Sequence, residues 1–147
     1  MYKNIALNGI ISALYIMLTI INPLSFGIIN IRIADFIPVI GVIDKRYRLG
    51  VTIGMIISNL FSPFGVVDVF VAIAICLFSF YGTCKARENI RILLLAISTS
   101  VLVSCEISIL THIPFVIETL IMLATQIPIC FIGASIYHRI EREFKNV

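Results

Sequence analysis

Arg32 and Asp35 stand three residues apart in an otherwise uncharged stretch, P-L-S-F-G-I-I-N-I-R-I-A-D-F-I-P at positions 23–38. Three further carboxylates, Asp68, Glu106 and Glu118, stand near the ends of later apolar runs. A guanidinium does not lose its charge, so Arg32 can neutralise and orient one carboxylate. The remaining carboxylates suit a cation. Adjacent carboxylates also match N–H donor edges, such as the amide and amino group of a guanine-like ring. Glu106 is the hardest to read as incidental. It lies about a turn inside the end of its run, in T-S-V-L-V-S-C-E-I-S. A charge at the centre of a membrane helix costs roughly 2.5–3.5 kcal/mol on insertion scales, and such residues face a cavity or a partner.

Each of these residues also has a plainer reading. Asp68 follows Pro63 and Gly65, and Glu118 follows Pro114, so both sit where a helix dipole favours a carboxylate. Arg32 and Asp35 can pair locally. Ser100, Ser104 and Ser108 recur at every fourth residue around Glu106 and can serve helix packing. His112 lies in a turn, where a histidine is usually just exposed. Taken as a set, the charges are better explained by one ligand site than by coincidence. Phe26, Phe36, Phe64 and Phe115 are near enough in sequence to supply stacking faces.

The elements that position these residues follow from composition. The 147-residue chain is 60% hydrophobic and 13% charged, with a mean hydropathy of +1.09. Soluble domains carry about 25% charged residues. This chain cannot cover a water-facing surface and reads as an all-α integral membrane protein of one domain, 1–147. No cleavable leader is expected at Met1, so the first apolar segment is read as retained. Apolar segments at 5–21, 66–83, 92–110 and 115–137 have the roughly 17–25 residues of a spanning helix. Segments 33–43, interrupted by Pro38, and 49–61 are short, which implies tilt, a kink at Pro38 or burial in the bundle.

The basic residues decide whether the short segments cross, because Lys and Arg collect in cytoplasmic loops. With six crossings and both termini cytoplasmic, ten of the eleven basic residues fall inside and only Arg32 outside. Ten bases against four acids give +6 inside, and one base against Asp35, Asp68, Glu106 and Glu118 gives −3 outside. Six transmembrane helices is therefore the expected architecture, with a multi-pass location in the cell membrane. The four cysteines form no C-x-x-C pair and read as packing residues. No G-x-x-x-x-G-K-[ST], H-E-x-x-H or G-x-S-x-G is present. No enzyme, cofactor or metal site is expected. The first helix carries Ala6, Gly9 and Ala13 at small-residue spacing. Such a face serves either another subunit or packing within the bundle.

With those residues in view, the run from Pro23 to Asp35 resembles the signature of the QueT family, close to P-x-S-F-G-x-x-Q-x-R-x-S-E-A. Asn30 stands in the Gln position, Ala34 in the Ser position, Asp35 in the Glu position, and Phe36 replaces a small residue. The N-L-x-S-P-x-G-x-x-D run ending at Asp68 is similar too. The resemblance covers most of residues 6–83, and the last two helices match in layout. QueT proteins are substrate-binding S components of energy-coupling factor transporters. The resemblance implies uptake of a queuosine precursor, queuine or aminomethyl-deazaguanine, through a site drawn from Asn30, Arg32, Asp35, Asp68, Glu106 and Glu118. It also implies a transmembrane coupling subunit that docks on Ala6, Gly9 and Ala13, two cytoplasmic ATPases and the lipid bilayer as partners, with no nucleic acid among them. The alternatives are an S component for another vitamin-like solute and a membrane scaffold or assembly protein. An intramembrane enzyme using Glu106 and His112 is the remaining one.

Overall fold

The computed structural model describes residues 2–22, 33–83 and 85–145, so Asn30 and Arg32 lie outside the described residues. Among these residues the chain is helical with no strand. It forms α1 (Tyr2–Ile21), α2 (Pro38–Ile43), α3 (Arg48–Asn59), α4 (Val66–Leu77), α5 (Glu88–Thr111) and α6 (Phe115–Lys145). These helices fall on the six apolar segments expected above. A 3-10 turn, Ile33–Phe36, leads into α2, and a π turn, Phe78–Gly82, extends α4.

Local sequence explains the breaks. Pro38 opens α2 at a first-turn position, where its missing N–H costs nothing, so segment 33–43 is two short pieces and not one helix. Gly65 adopts a positive φ of 53° just before α4. His112 caps α5 in the left-handed conformation, φ 59°, and its amide donates to the Ser108 carbonyl. Pro128 lies inside α6 without ending it. Proline is tolerated in membrane helices, where neighbours re-satisfy the freed carbonyl.

The bundle buries polar groups among its apolar core and turns large apolar side chains outward. Phe70, Ile109, Val116 and Leu120 are exposed, whereas Asp35, Asn59, Asp68, Glu106, Glu118 and Gln126 are buried. That arrangement fits a chain solvated by lipid and not by water. α1, α5 and α6 are long and apolar enough to cross a membrane. The apolar stretches Ile33–Ile43 and Val66–Gly82 are shorter, and α3 has 12 residues, or about 18 Å of helix. α5 packs along α6, α1 along α3, and α4 between α3 and α5. α2 touches α3, α5 and α6, and its leading 3-10 turn touches α1 and α6.

One end of this bundle gathers the basic loops. Asn8 Nδ2 donates to the Arg46 carbonyl at 2.9 Å, and Asn8 Oδ1 accepts from the Gly50 amide at 2.7 Å. Arg48 Nε donates to the Gly41 carbonyl at 3.1 Å, with its guanidinium over the Phe80 and Tyr81 rings. Arg91 donates to the Val42 carbonyl. Two arginines thus cap the C-terminal carbonyls of α2, where a cation is favoured. Asp44 binds Arg46 and accepts from the Tyr137 hydroxyl at 3.2 Å, and His138 lies 2.6 Å from Glu88. Burial works to raise the Asp44 carboxyl, but the hydrogen bonds and charge of Arg46 outweigh it and hold it below its usual value.

The α1–α3 contact depends on glycine. A Cβ at Gly50 would stand 2.5 Å from the Asn8 carbonyl oxygen, and one at Gly54 would stand 3.1 Å from that of Ser12. Both are backbone atoms that cannot swing aside. Gly9, on the other side of α1, has nothing within 4 Å. Gly50→Ala should therefore lower the thermal stability of the detergent-solubilised protein by the equivalent of about 1–3 kcal/mol. Gly9→Ala should leave it unchanged or raise it by up to about 1 kcal/mol through helix propensity. Equal melting temperatures for the two variants would show that α1 and α3 are not in backbone contact.

Candidate functional site

Three of the acidic residues read from the sequence line one internal cavity: Asp35, Asp68 and Glu106. The cavity lies away from the basic end. Along α1, Tyr15 is about two turns beyond Asn8, and along α5, Glu106 is about four turns beyond Arg91. Tyr15, Asn59 and Thr99 complete its polar lining, and Met55, Val71, Val103 and Met122 supply much of its apolar wall. Such a lining, apolar with a few convergent polar groups, is typical of small-molecule sites. As it stands, the cavity has room for about one water molecule, about 20 Å³. A larger solute must part the helices to enter.

Each polar group is set by its element. Asp35 sits in the 3-10 turn ahead of α2, only 6% exposed. The Tyr15 hydroxyl donates to its Oδ1 at 3.3 Å, and the Gln126 amide donates to its Oδ2. Asp35 thus draws α1 and α6 onto the same short turn. Gly133 allows α6 to come this close: a Cβ there would meet the Phe36 carbonyl oxygen at 2.7 Å. Asp68 stands in the first turn of α4 and is 5% exposed; its Oδ2 has no hydrogen-bond partner. Asn59, the last residue of α3, donates from Nδ2 to the Asp68 carbonyl at 3.4 Å and so ties the two helix ends together. Glu106 is 5% exposed on the face of α5 that carries the buried Ser100, Val103, Ser104 and Ile107.

The other expected residues fall elsewhere. Glu118 is buried in the first turn of α6, and its Oε1 has no hydrogen-bond partner, but it is not among the residues lining the cavity. Asn30 and Arg32 lie outside the described residues. Of the phenylalanines proposed as stacking faces, Phe26 also lies outside, and Phe36, Phe64 and Phe115 do not line the cavity. The aromatic ring on its wall is Tyr15. His112 is an exposed cap and does not line the cavity with Glu106. Ser100 donates to the Ala96 carbonyl of its own helix at 2.8 Å, a bond within α5 and not across a helix contact. Ala6, Gly9 and Ala13 are all exposed on the outside of α1, so packing within the described bundle does not use them.

Formal charge does not single out Tyr15, Asn59 and Gln126, which line the cavity or hold Asp35. Their signal was present. Ser12, Tyr15 and Thr19 share one helical face of α1, and all are buried. Gln126 is an uncharged hydrogen-bonding group in the middle of a long apolar helix, only 1% exposed. In lipid, such a group needs an internal partner as a charge does.

A helical bundle with apolar faces outward and carboxylates buried beside an internal cavity defines a helical membrane protein. The family model described as QueT transporter matches residues 5–142, essentially the whole chain. The chain belongs to the QueT transporter family, whose members are substrate-binding S components and not enzymes. No curated protein and no solved structure matched it.

Proposed function

We propose that this chain is the solute-binding subunit of an energy-coupling factor importer in the cell membrane, and that its solute is a queuosine precursor, queuine or aminomethyl-deazaguanine. The observation that carries this reading is the convergence of Asp35, Asp68 and Glu106 on one cavity in a chain of the QueT family. A deazaguanine offers N–H donors on its ring edge and a basic amine on its arm. Carboxylates are acceptors only when ionised, so the two sets are complementary. On this reading Asn30 and Arg32 join the site, Arg32 offsets one carboxylate, and Glu118 lies beside it. Tyr15 and Gln126 hold Asp35 in place. Because the cavity is smaller than the ring, binding must widen it.

The chain crosses the membrane six times with both termini in the cytoplasm and the cavity towards the outside. The gathering of the loops around Arg46, Arg48 and Arg91 and the C-terminal part of α6 at one end supports this orientation. The short α2 and α3 cross with tilt and local thinning. A transmembrane coupling subunit docks on Ala6, Gly9 and Ala13, and two cytoplasmic ATPases drive it. The open space beside Gly9 is what supports a partner there.

Three outcomes follow. With the native cysteines replaced by serine, single cysteines at Phe61 and Thr111 should react with an impermeant thiol reagent in intact cells, and one at Lys85 should not. Labelling at Lys85 would reverse the topology. In isothermal titration, Glu106→Gln should bind 7-aminomethyl-7-deazaguanine about 30-fold or more weakly, the usual loss on removing one partner of a buried charged hydrogen bond. Glu143→Gln, exposed near the end of α6, should bind as wild type does. Undiminished binding by Glu106→Gln would remove the acidic cavity from the reading, and absence of wild-type binding would point to a different solute. Finally, Ala13→Leu should abolish uptake by the complete transporter while the isolated subunit still binds solute. Normal uptake would assign the outer face of α1 to lipid alone.

A further inference from the structure

We propose that Asp68 is the counter-ion for a positively charged amine on the solute, and that the site therefore selects a protonated amine over a neutral arm of the same size. This rests on the solute-binding reading above and assigns one of its contacts.

Asp68 differs from Asp35 in a specific way. Asp35 already accepts from Tyr15 and from Gln126, one donor on each oxygen. Asp68 Oδ2 is buried with no hydrogen-bond partner, and the residue lines the cavity. Its plainer role would be to cap the start of α4. Three amides at that end already have carbonyl partners. Gly65 donates to the Ser62 carbonyl at 3.0 Å, Val67 to that of Phe64 at 3.2 Å and Val69 to that of Gly65 at 3.3 Å. No side chain caps this helix. The carboxylate thus stands in the first turn of α4 and spends no hydrogen bond on the helix. Its backbone is pinned by Asn59, which donates to its carbonyl.

A buried carboxylate oxygen with no donor is costly, and each such atom in a native structure needs an account. A water molecule or neutral N–H would satisfy one lone pair but leave the charge. An ammonium offers up to three donors and cancels the charge. The same depth that makes an empty Asp68 expensive makes its loss of a cation expensive.

The test compares three probes on the purified full-length protein by isothermal titration: 7-aminomethyl-7-deazaguanine, 7-hydroxymethyl-7-deazaguanine and 7-deazaguanine. The hydroxymethyl compound has the same number of heavy atoms and a donor but no charge. Wild type should prefer the aminomethyl over the hydroxymethyl probe by about 30-fold or more. In Asp68→Asn this preference should shrink to roughly threefold or less, with affinity for the hydroxymethyl and unsubstituted rings retained within about threefold. A wild-type preference within about threefold overturns the proposal without any variant, so misfolding of Asp68→Asn cannot shield it. A parallel loss for all three probes in Asp68→Asn, or a preference that survives the change, assigns Asp68 to structure and also overturns it. If wild type binds the rings without discriminating, the deazaguanine reading stands and only the Asp68 assignment falls. If it binds none of them, both fall.

Discussion

Buried carboxylates inside a lipid-solvated bundle set the terms for everything else in this molecule. With hydrocarbon outside, water is not at hand to solvate a misplaced charge, and the cost of an unsatisfied polar group is several kcal/mol. Asp35, Asp68 and Glu106 can be kept only where the surrounding helices offer donors or where a solute completes them. Asp35 is completed from within, by Tyr15 of α1 and Gln126 of α6. Those two hydrogen bonds also fix the short 3-10 turn between the first and last helices. The polar site and the closure of the bundle are therefore one structural problem with one solution.

Small residues and arginines make that solution sterically and electrically possible. Gly50 and Gly54 let α3 lie against the α1 backbone, and Gly133 lets α6 reach Phe36. At the far end from the cavity, α2 is too short to stand alone. Its last carbonyls at Gly41 and Val42 are satisfied by Arg48 and Arg91. The guanidinium of Arg48 rests on Phe80 and Tyr81, where the π turn brings two rings around the end of α4. These basic residues carry a topological signal in the sequence, but two of them also hold the short helix that places Asp35.

The helices were legible because hydropathy and helix breakers are local properties. Pro38, Gly65 and Pro114 mark boundaries whose chemistry needs no tertiary context. Asp35, Asp68 and Glu106 were legible as a set because charge in an apolar run is expensive wherever it falls. Partners across the bundle were not. Tyr15 on the polar face of α1 and Gln126 in its apolar helix mark groups that need partners, but which partner each one takes is fixed only where α1 and α6 meet the Asp35 turn. Phe36 and Phe115 failed as stacking faces for the same reason. Nearness in sequence to a charged residue does not set which side of a helix a ring points towards, and here the cavity takes Tyr15 instead. The face carrying Gly9 was ambiguous between internal and external packing. The glycines of α3 meet α1 at Asn8 and Ser12, which leaves the Gly9 face outside the contacts of the described bundle.

That division of α1 bears on how binding and transport connect. Ser12, Tyr15 and Thr19 face inward, and Ala6, Gly9 and Ala13 face outward, on the same 20-residue helix. Tyr15 hydrogen-bonds Asp35 on the cavity wall, and Ala13 is only two residues away on the other face. Under the proposed function, one rigid element has its inner face on the solute and its outer face on the coupling subunit. The cavity is too small for a ring while closed, so a solute that enters must displace at least one of the helices around it. α1 is joined to Asp35 through the Tyr15 hydroxyl and to α3 through backbone contact at Gly50 and Gly54 and the Asn8–Gly50 hydrogen bond. Displacement of α1 by solute would then be read directly at its outer face, with no longer chain of contacts between the two sites.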